Sequence, residues 1–264
     1  MDTALPASST PVPGTPTLRR IGTADLRWAL AAGWRDFRAR RGDLIFAGLL
    51  YPVIGLLVSG LALDRRLFAF AFPLIAGISI LGPAVSAGFY ELARRREAGL
   101  DSGWRHFFDP VRGRSRVPLA TLTLVLVALF MAWLAAAWAV YEATMGRSPP
   151  ADAGAAFAVQ LFTTQNGWAM ILLGNLVGLA FAVVTLALSA VSFPMVVDQP
   201  VDAGTAMATS LRAFSANRTA WLNWGLRVAL ILFVAAIPLF VGLAVALPVL
   251  GYATWHLYTR AVAR

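Results

Sequence analysis

The sequence predicts an all-α fold, a polytopic transmembrane helical bundle of six spans, and three observations carry that reading. Of 264 residues, 59% are hydrophobic and 13% charged, where a soluble domain is roughly 45–50% apolar and about 25% charged. The apolar residues gather into blocks of spanning length, about 20 residues each. The 22 basic residues are all arginine and flank those blocks unevenly. This composition excludes a soluble globular domain, a disordered chain and a collagen-like repeat.

The elements follow in chain order. Met1 to Thr17 is rich in Pro, Ser and Thr, with no basic start and no apolar run. It does not read as a secretory signal peptide, so residues 1–22 are expected to be a disordered tail and 23–264 a single transmembrane domain. Asp25 to Arg41 reads as an amphipathic helix capped by Thr23, with Leu26, Leu30, Gly33, Trp34 and Phe37 on one face. A basic amphipathic helix beside a span is expected to lie among the headgroups, its arginines toward anionic lipid; a gating or docking helix is the alternative. The first span is Leu44 to Leu63 and the second Leu67 to Leu92, joined by the short link Asp64-Arg65-Arg66. The third is Val117 to Tyr141 and the fourth Trp168 to Val197, with a short external helix between them near Ala153 to Phe162. The last block, Trp221 to Tyr258, has 38 residues. That is too long for one span and enough for two, with Pro238 as the turn. Five spans is the alternative, if the block is one broken helix.

Charge sets the orientation. Eighteen of the 22 arginines fall on one side of this arrangement, Arg65, Arg66 and Arg147 on the other, and Arg227 inside the fifth span. Cytoplasmic loops collect basic residues, so both termini are expected in the cytoplasm. The net charge of +9 is then mainly a record of topology. No nucleic-acid partner is expected, because the arginines are dispersed over loops without a groove-binding module.

An internal repeat is also legible. Asp25–Arg41 laid over Asp202–Arg218 matches at seven of 17 positions, among them Asp25 with Asp202, Arg35 with Arg212 and Phe37 with Phe214. Each segment leads into a hydrophobic hairpin whose second helix carries a proline, Pro83 or Pro248. Copies spanning about 23–96 and 200–261 would enter the membrane in the same direction, as a parallel repeat. Similar composition of amphipathic helices before spans is the plainer explanation of the match.

Four strings, FPLIAGISILGP (72–83), GFYELARRREAG (88–99), VSFPMVVD (191–198) and LPVLGYATWHLY (247–258), resemble a family of predicted bacterial integral membrane proteins of unknown function. Some members carry the label "cytochrome c oxidase subunit I-like". The resemblance covers roughly Leu18 to Ala261 and implies a multi-pass location in a bacterial inner (cytoplasmic) membrane. It lends no mechanism. The oxidase label fails on the residues: such a core needs several axial and copper-binding imidazoles, and this chain has two, His106 and His256, with no Cys.

Polar groups at membrane depth are the remaining candidates for function: Tyr90 and Glu91 at the end of the second span, Asn175 in the fourth, Arg227 in the fifth and His256 in the last. The repeat makes His256 equivalent to Glu91, and a carboxylate–imidazole pair passes protons or binds a cation. Alternatively Glu91 pairs with Arg94 or Arg95 one turn along, and His256, beside Trp255 and Tyr258, anchors at the interface. Arg227 is expected to snorkel to the headgroups and Asn175 to bond a neighbouring helix. Pairs of small residues such as Gly174 and Gly178 suit close helix contacts. No catalytic residue, cofactor or metal site is expected. The reading is a non-enzymatic structural, scaffolding or assembly protein, with a membrane protein complex as the partner beyond the bilayer and its anionic headgroups. The alternative is a small transporter or channel using a cavity between the two repeats.

Overall fold

Apolar runs of this length satisfy their backbone polar groups internally only as helices. The computed structural model describes residues 16–39, 71–146, 155–238 and 241–263, and the ordered structure there is helical apart from one isolated β-bridge. The predicted first span, the link that follows it and Arg147 lie outside the described residues.

Helix α1 (Thr23–Ala39) is closed at its start by Asp25 rather than by the predicted Thr23 cap. The Gly22 N–H donates to the Asp25 carboxylate at 2.9 Å, the reach of a third-position acid back to the cap residue. The second apolar stretch is a broken helix: α2 (Ala71–Ile78), a 3₁₀ turn (Ser79–Leu81), α3 (Gly82–Val85) and α4 (Ala87–Glu97). Pro83 explains the break, because it offers no N–H to the Ser79 carbonyl four residues back. After a 3₁₀ turn (Trp104–Phe108) and the short α5 (Asp109–Arg112) comes α6 (Arg116–Met145). The short α7 (Ala155–Thr163) precedes α8 (Gln165–Ser189), whose cap is Thr164, its hydroxyl accepting the Gly167 N–H at 3.0 Å. Helix α9 (Ser192–Asp198) continues α8 after a step at Ala190–Val191. That step lies four residues before Pro194, the same physics as at Pro83.

Helices α10 (Ala203–Ala216), α11 (Arg218–Ala236) and α12 (Leu243–Ala261) complete the chain. The predicted turn at Pro238 is present: α11 stops before it, and Val241 N–H bonds the Pro238 carbonyl at 3.0 Å. Three helical stretches are long and apolar enough to cross a membrane: α6, α8 with α9, and α11. Helix α12 falls short of that standard because Tyr252, His256, Tyr258 and Arg260 occupy its second half.

Burial divides the molecule in two. Along α6, α8 and α11 large apolar side chains face outward; Leu124, Leu172 and Phe233 are each about two-thirds exposed (68%, 67% and 69%). Such a surface suits a lipid environment. The other part is a packed head. It holds Leu26 of α1, Phe89 of α4, Phe193 and Met195 of α9, Trp221 and Trp224 of α11, and Trp255, Leu257 and Tyr258 of α12, all essentially fully buried.

Small residues allow the closest contacts. A Cβ on Gly33 of α1 would stand 2.6 Å from the Val249 carbonyl oxygen of α12. One on Gly77 would stand 2.5 Å from the Phe130 ring of α6, where Trp133 also donates to the Pro73 carbonyl at 2.8 Å. Gly178 packs beside Trp133 but Gly174 faces open space, so that pair does not act as one contact motif.

Candidate functional site

The head is built around α1 lying antiparallel along α12. Asp25 approaches Arg260 at one end of the pair, and Gly33 meets Val249 and Ala253 toward the other. The face α1 spends on this contact is Leu26, Ala29, Ala32 and Gly33, while Trp34 turns outward at 46% exposure. The predicted apolar face is therefore rotated, because small residues let two backbones approach where Trp34 would hold them apart. The segment before α1 is also ordered. Arg19 N–H bonds the Ala261 carbonyl at 2.8 Å, Ala263 N–H bonds Thr17 O at 2.9 Å, and Leu18 bridges Val262. The Asn217 amide accepts from Ile21 N–H and donates to the Arg19 carbonyl, both at 3.1 Å. Within the stretch read as tail, Thr17 to Ile21 is thus pinned by the C-terminal residues and Asn217.

Of the predicted polar residues, Tyr90, Glu91 and His256 lie in this head. Glu91 is buried and accepts two bonds from Arg94, at 2.8 and 2.7 Å, with Arg95 at 3.6 Å. The forked pairing matches guanidinium to carboxylate and raises the Arg94 pKa above its ordinary value. His256 takes other carboxylates. Its Nε2 lies 2.7 Å from Asp36 of α1 and its Nδ1 3.4 Å from Glu97 of α4. Arg96 reaches the other Asp36 oxygen at 3.1 Å. The Trp28 ring meets the imidazole edge-on at 5.6 Å, and the Arg260 guanidinium lies 4.1 Å from that tryptophan's ring centre. Glu91 and His256, equivalent in the repeat, therefore have separate partners. Trp255 and Tyr258 beside His256 are fully buried core residues, and Tyr258 meets Asp198 of α9. Tyr90 is buried and hydrogen-bonded to Ser86 one turn back.

The other two candidates lie outside the head. Asn175 is exposed and donates to the Ile171 carbonyl of its own helix at 2.7 Å, so it is not the interhelical bond expected. Arg227 is half-buried and donates to Asn223 one turn nearer the helix start, at 2.7 Å. That is the direction in which a snorkelling side chain reaches for the headgroups.

Two further polar groups complete the head. Asp198 accepts from the Tyr258 hydroxyl at 2.9 Å, and its carbonyl accepts from Arg114 at 2.6 Å. Ser210 of α10 spans the α8–α9 step: its hydroxyl donates to the Ala187 carbonyl at 2.7 Å and accepts the Val191 N–H at 3.2 Å. Outside the head core, His106 lies 2.6 Å from Asp109 through Nδ1, and Arg95 and Arg105 reach its Nε2 at 3.3 and 3.1 Å. The Asp101 carboxylate lies 3.4 Å from the same Nε2. Asp101 beside them is held below its usual carboxylate range, first by the Gly103 backbone N–H. A cavity of about 10 Å³ lies beside Asp36, Leu92, Arg96, Ser102 and Tyr252, room for about one water.

A helical fold with three lipid-suited stretches and an internally paired polar head defines an integral membrane protein. Residues 71–198, just under half of the chain, match the family model described as "Predicted integral membrane protein (DUF2189)". The description names membrane integration and no oxidase chemistry. No curated protein and no solved structure matches the chain.

The matched region runs from α2 to the end of α9 and contains three of the four strings singled out in the sequence. The fourth, on α12, packs against α4 through Phe89 and Tyr252, whose ring centres are 5.5 Å apart.

Proposed function

We propose that this chain is a non-enzymatic structural or assembly protein of a bacterial inner membrane. It crosses six times, with both termini cytoplasmic and two parallel copies of a helix-and-hairpin unit. The observation that carries the reading is the use of polar groups in the head. Glu91, His256 and Asp198 each meet a partner within the chain, and the cavity beside Asp36 is water-sized. A conduit for a polar solute needs such groups turned toward a continuous opening; here His256 and Asp198 join helices distant in sequence, and Glu91 pairs along its own helix. The outward apolar surfaces of α6, α8 and α11 remain for lipid and for other membrane proteins.

Purification from native membranes in mild detergent, with cross-linking beforehand, tests this. The expected result is a discrete assembly larger than the 28.2 kDa chain, with the same membrane proteins recovered each time. Solute flux through proteoliposomes holding this chain alone, abolished in His256→Gln, would overturn the reading in favour of a transporter.

A further inference from the structure

We infer that the outward face of α1 is a contact surface for anionic phospholipid headgroups. At 100° per residue, Arg27, Ala31, Trp34 and Arg38 fall on one stripe of this helix, with Arg35 on its flank. All five are exposed. Packing on α12 accounts for the opposite face through Leu26, Ala29 and Gly33 and leaves this stripe uncovered by the described residues.

The two acids of α1 are turned away from the stripe. Asp25 binds the Gly22 N–H, and Asp36 binds His256 and Arg96. Arg27, Arg35 and Arg38 form no ion pair or hydrogen bond with another described residue. The surface is therefore three guanidinium groups around one exposed indole, with no carboxylate. Guanidinium pairs with phosphate oxygens through forked bonds. Tryptophan settles at the headgroup level, where an apolar ring and an N–H are both accommodated. Ala39 is the last described residue of α1, five residues before the expected first span at Leu44, and a span there would tether the Arg35–Arg38 end near the bilayer surface. This inference rests on the orientation proposed above. Its readout is local to α1, so it fails independently of the search for protein partners.

The chain has no Cys, so Ala31→Cys places one polarity-sensitive dye in the middle of the stripe. The full-length protein is reconstituted in nanodiscs of phosphatidylcholine alone or mixed with phosphatidylglycerol. In the anionic discs the emission is expected to move to the blue and to lose quenching by aqueous iodide. Both changes should vanish in R27Q/R35Q/R38Q and fade as salt is raised. If the triple variant fails to fold, the salt titration of the single-Cys protein decides alone. Emission that is the same in both lipid mixtures overturns the inference. A water-like spectrum would mean no bilayer contact, and an equally blue one a contact indifferent to headgroup charge.

Discussion

Ser210 shows how much a single hydroxyl accomplishes where a helix is interrupted. The step between α8 and α9 leaves the Ala187 carbonyl and the Val191 N–H in a buried setting, and Ser210 satisfies both. Removing the hydroxyl strands two polar groups, each costing about 1–3 kcal/mol when unsatisfied. Ser210→Ala is therefore expected to lower the thermal midpoint clearly, while Thr121→Ala, an exposed hydroxyl bonded only within its own helix, leaves it nearly unchanged. Asp202 carries a pH-dependent part of the head's edge. Its carboxyl is held below the usual value of 3.8 by the Thr205 hydroxyl and then the Thr205 N–H. Since the folded pKa is the lower one, the stabilisation is present above the unfolded value and is lost as pH falls through the folded one. Amide exchange at the start of α10 should accelerate on that acid side in the native protein, and Asp202→Asn should remove the pH response.

At the level of elements, the prolines and glycines decide where helices stop and how closely they approach. The spans at α6, α8 and α11 were legible because composition and length suffice for them, and Pro238 marked the last turn. The step before Pro194 was not singled out, although the rule that reads Pro83 applies to it equally. Gly33 read as part of a lipid-facing stripe because its use depends on a helix more than 200 residues away, which no local periodicity encodes. The two helices aligned by the repeat also differ in use. Asp25 lies inside the first turn of α1, whereas Asp202 is the cap residue before α10. Helix α1 rests on α12, while α10 rests on α8 and α9. Gly33→Val would drive side-chain atoms into the α12 backbone, an overpacking cost of about 1–3 kcal/mol. The variant is expected to release α1, seen as faster trypsin cleavage at Arg27 and Arg35; unchanged cleavage would mean that α1 does not depend on this contact.

The whole molecule is a lipid-suited bundle whose arginine-rich side is closed into a packed head by α1, α12 and both ends of the described chain. The orientation predicts that a single Cys introduced at Val111, which is exposed beside Arg112, resists a membrane-impermeant reagent added outside cells and reacts after permeabilisation. The candidate residues themselves were mostly legible, since intramembrane polarity singled out Glu91 and His256. Their partners were only half legible: Arg94 is a local neighbour of Glu91, but Asp36 reaches His256 only through tertiary packing. That long-range pair is the centre of the account. Its most direct test is a double-mutant cycle on Asp36→Asn and His256→Gln, read as unfolding free energy in detergent. Breaking a buried pair from one side costs about 3–5 kcal/mol, and the pair's slight exposure places the single variants near the lower end. The account predicts that each single variant loses most of what the double variant loses, a coupling of at least about 1 kcal/mol. Strictly additive losses would contradict it, and α1 would then not be held to α12 by this contact.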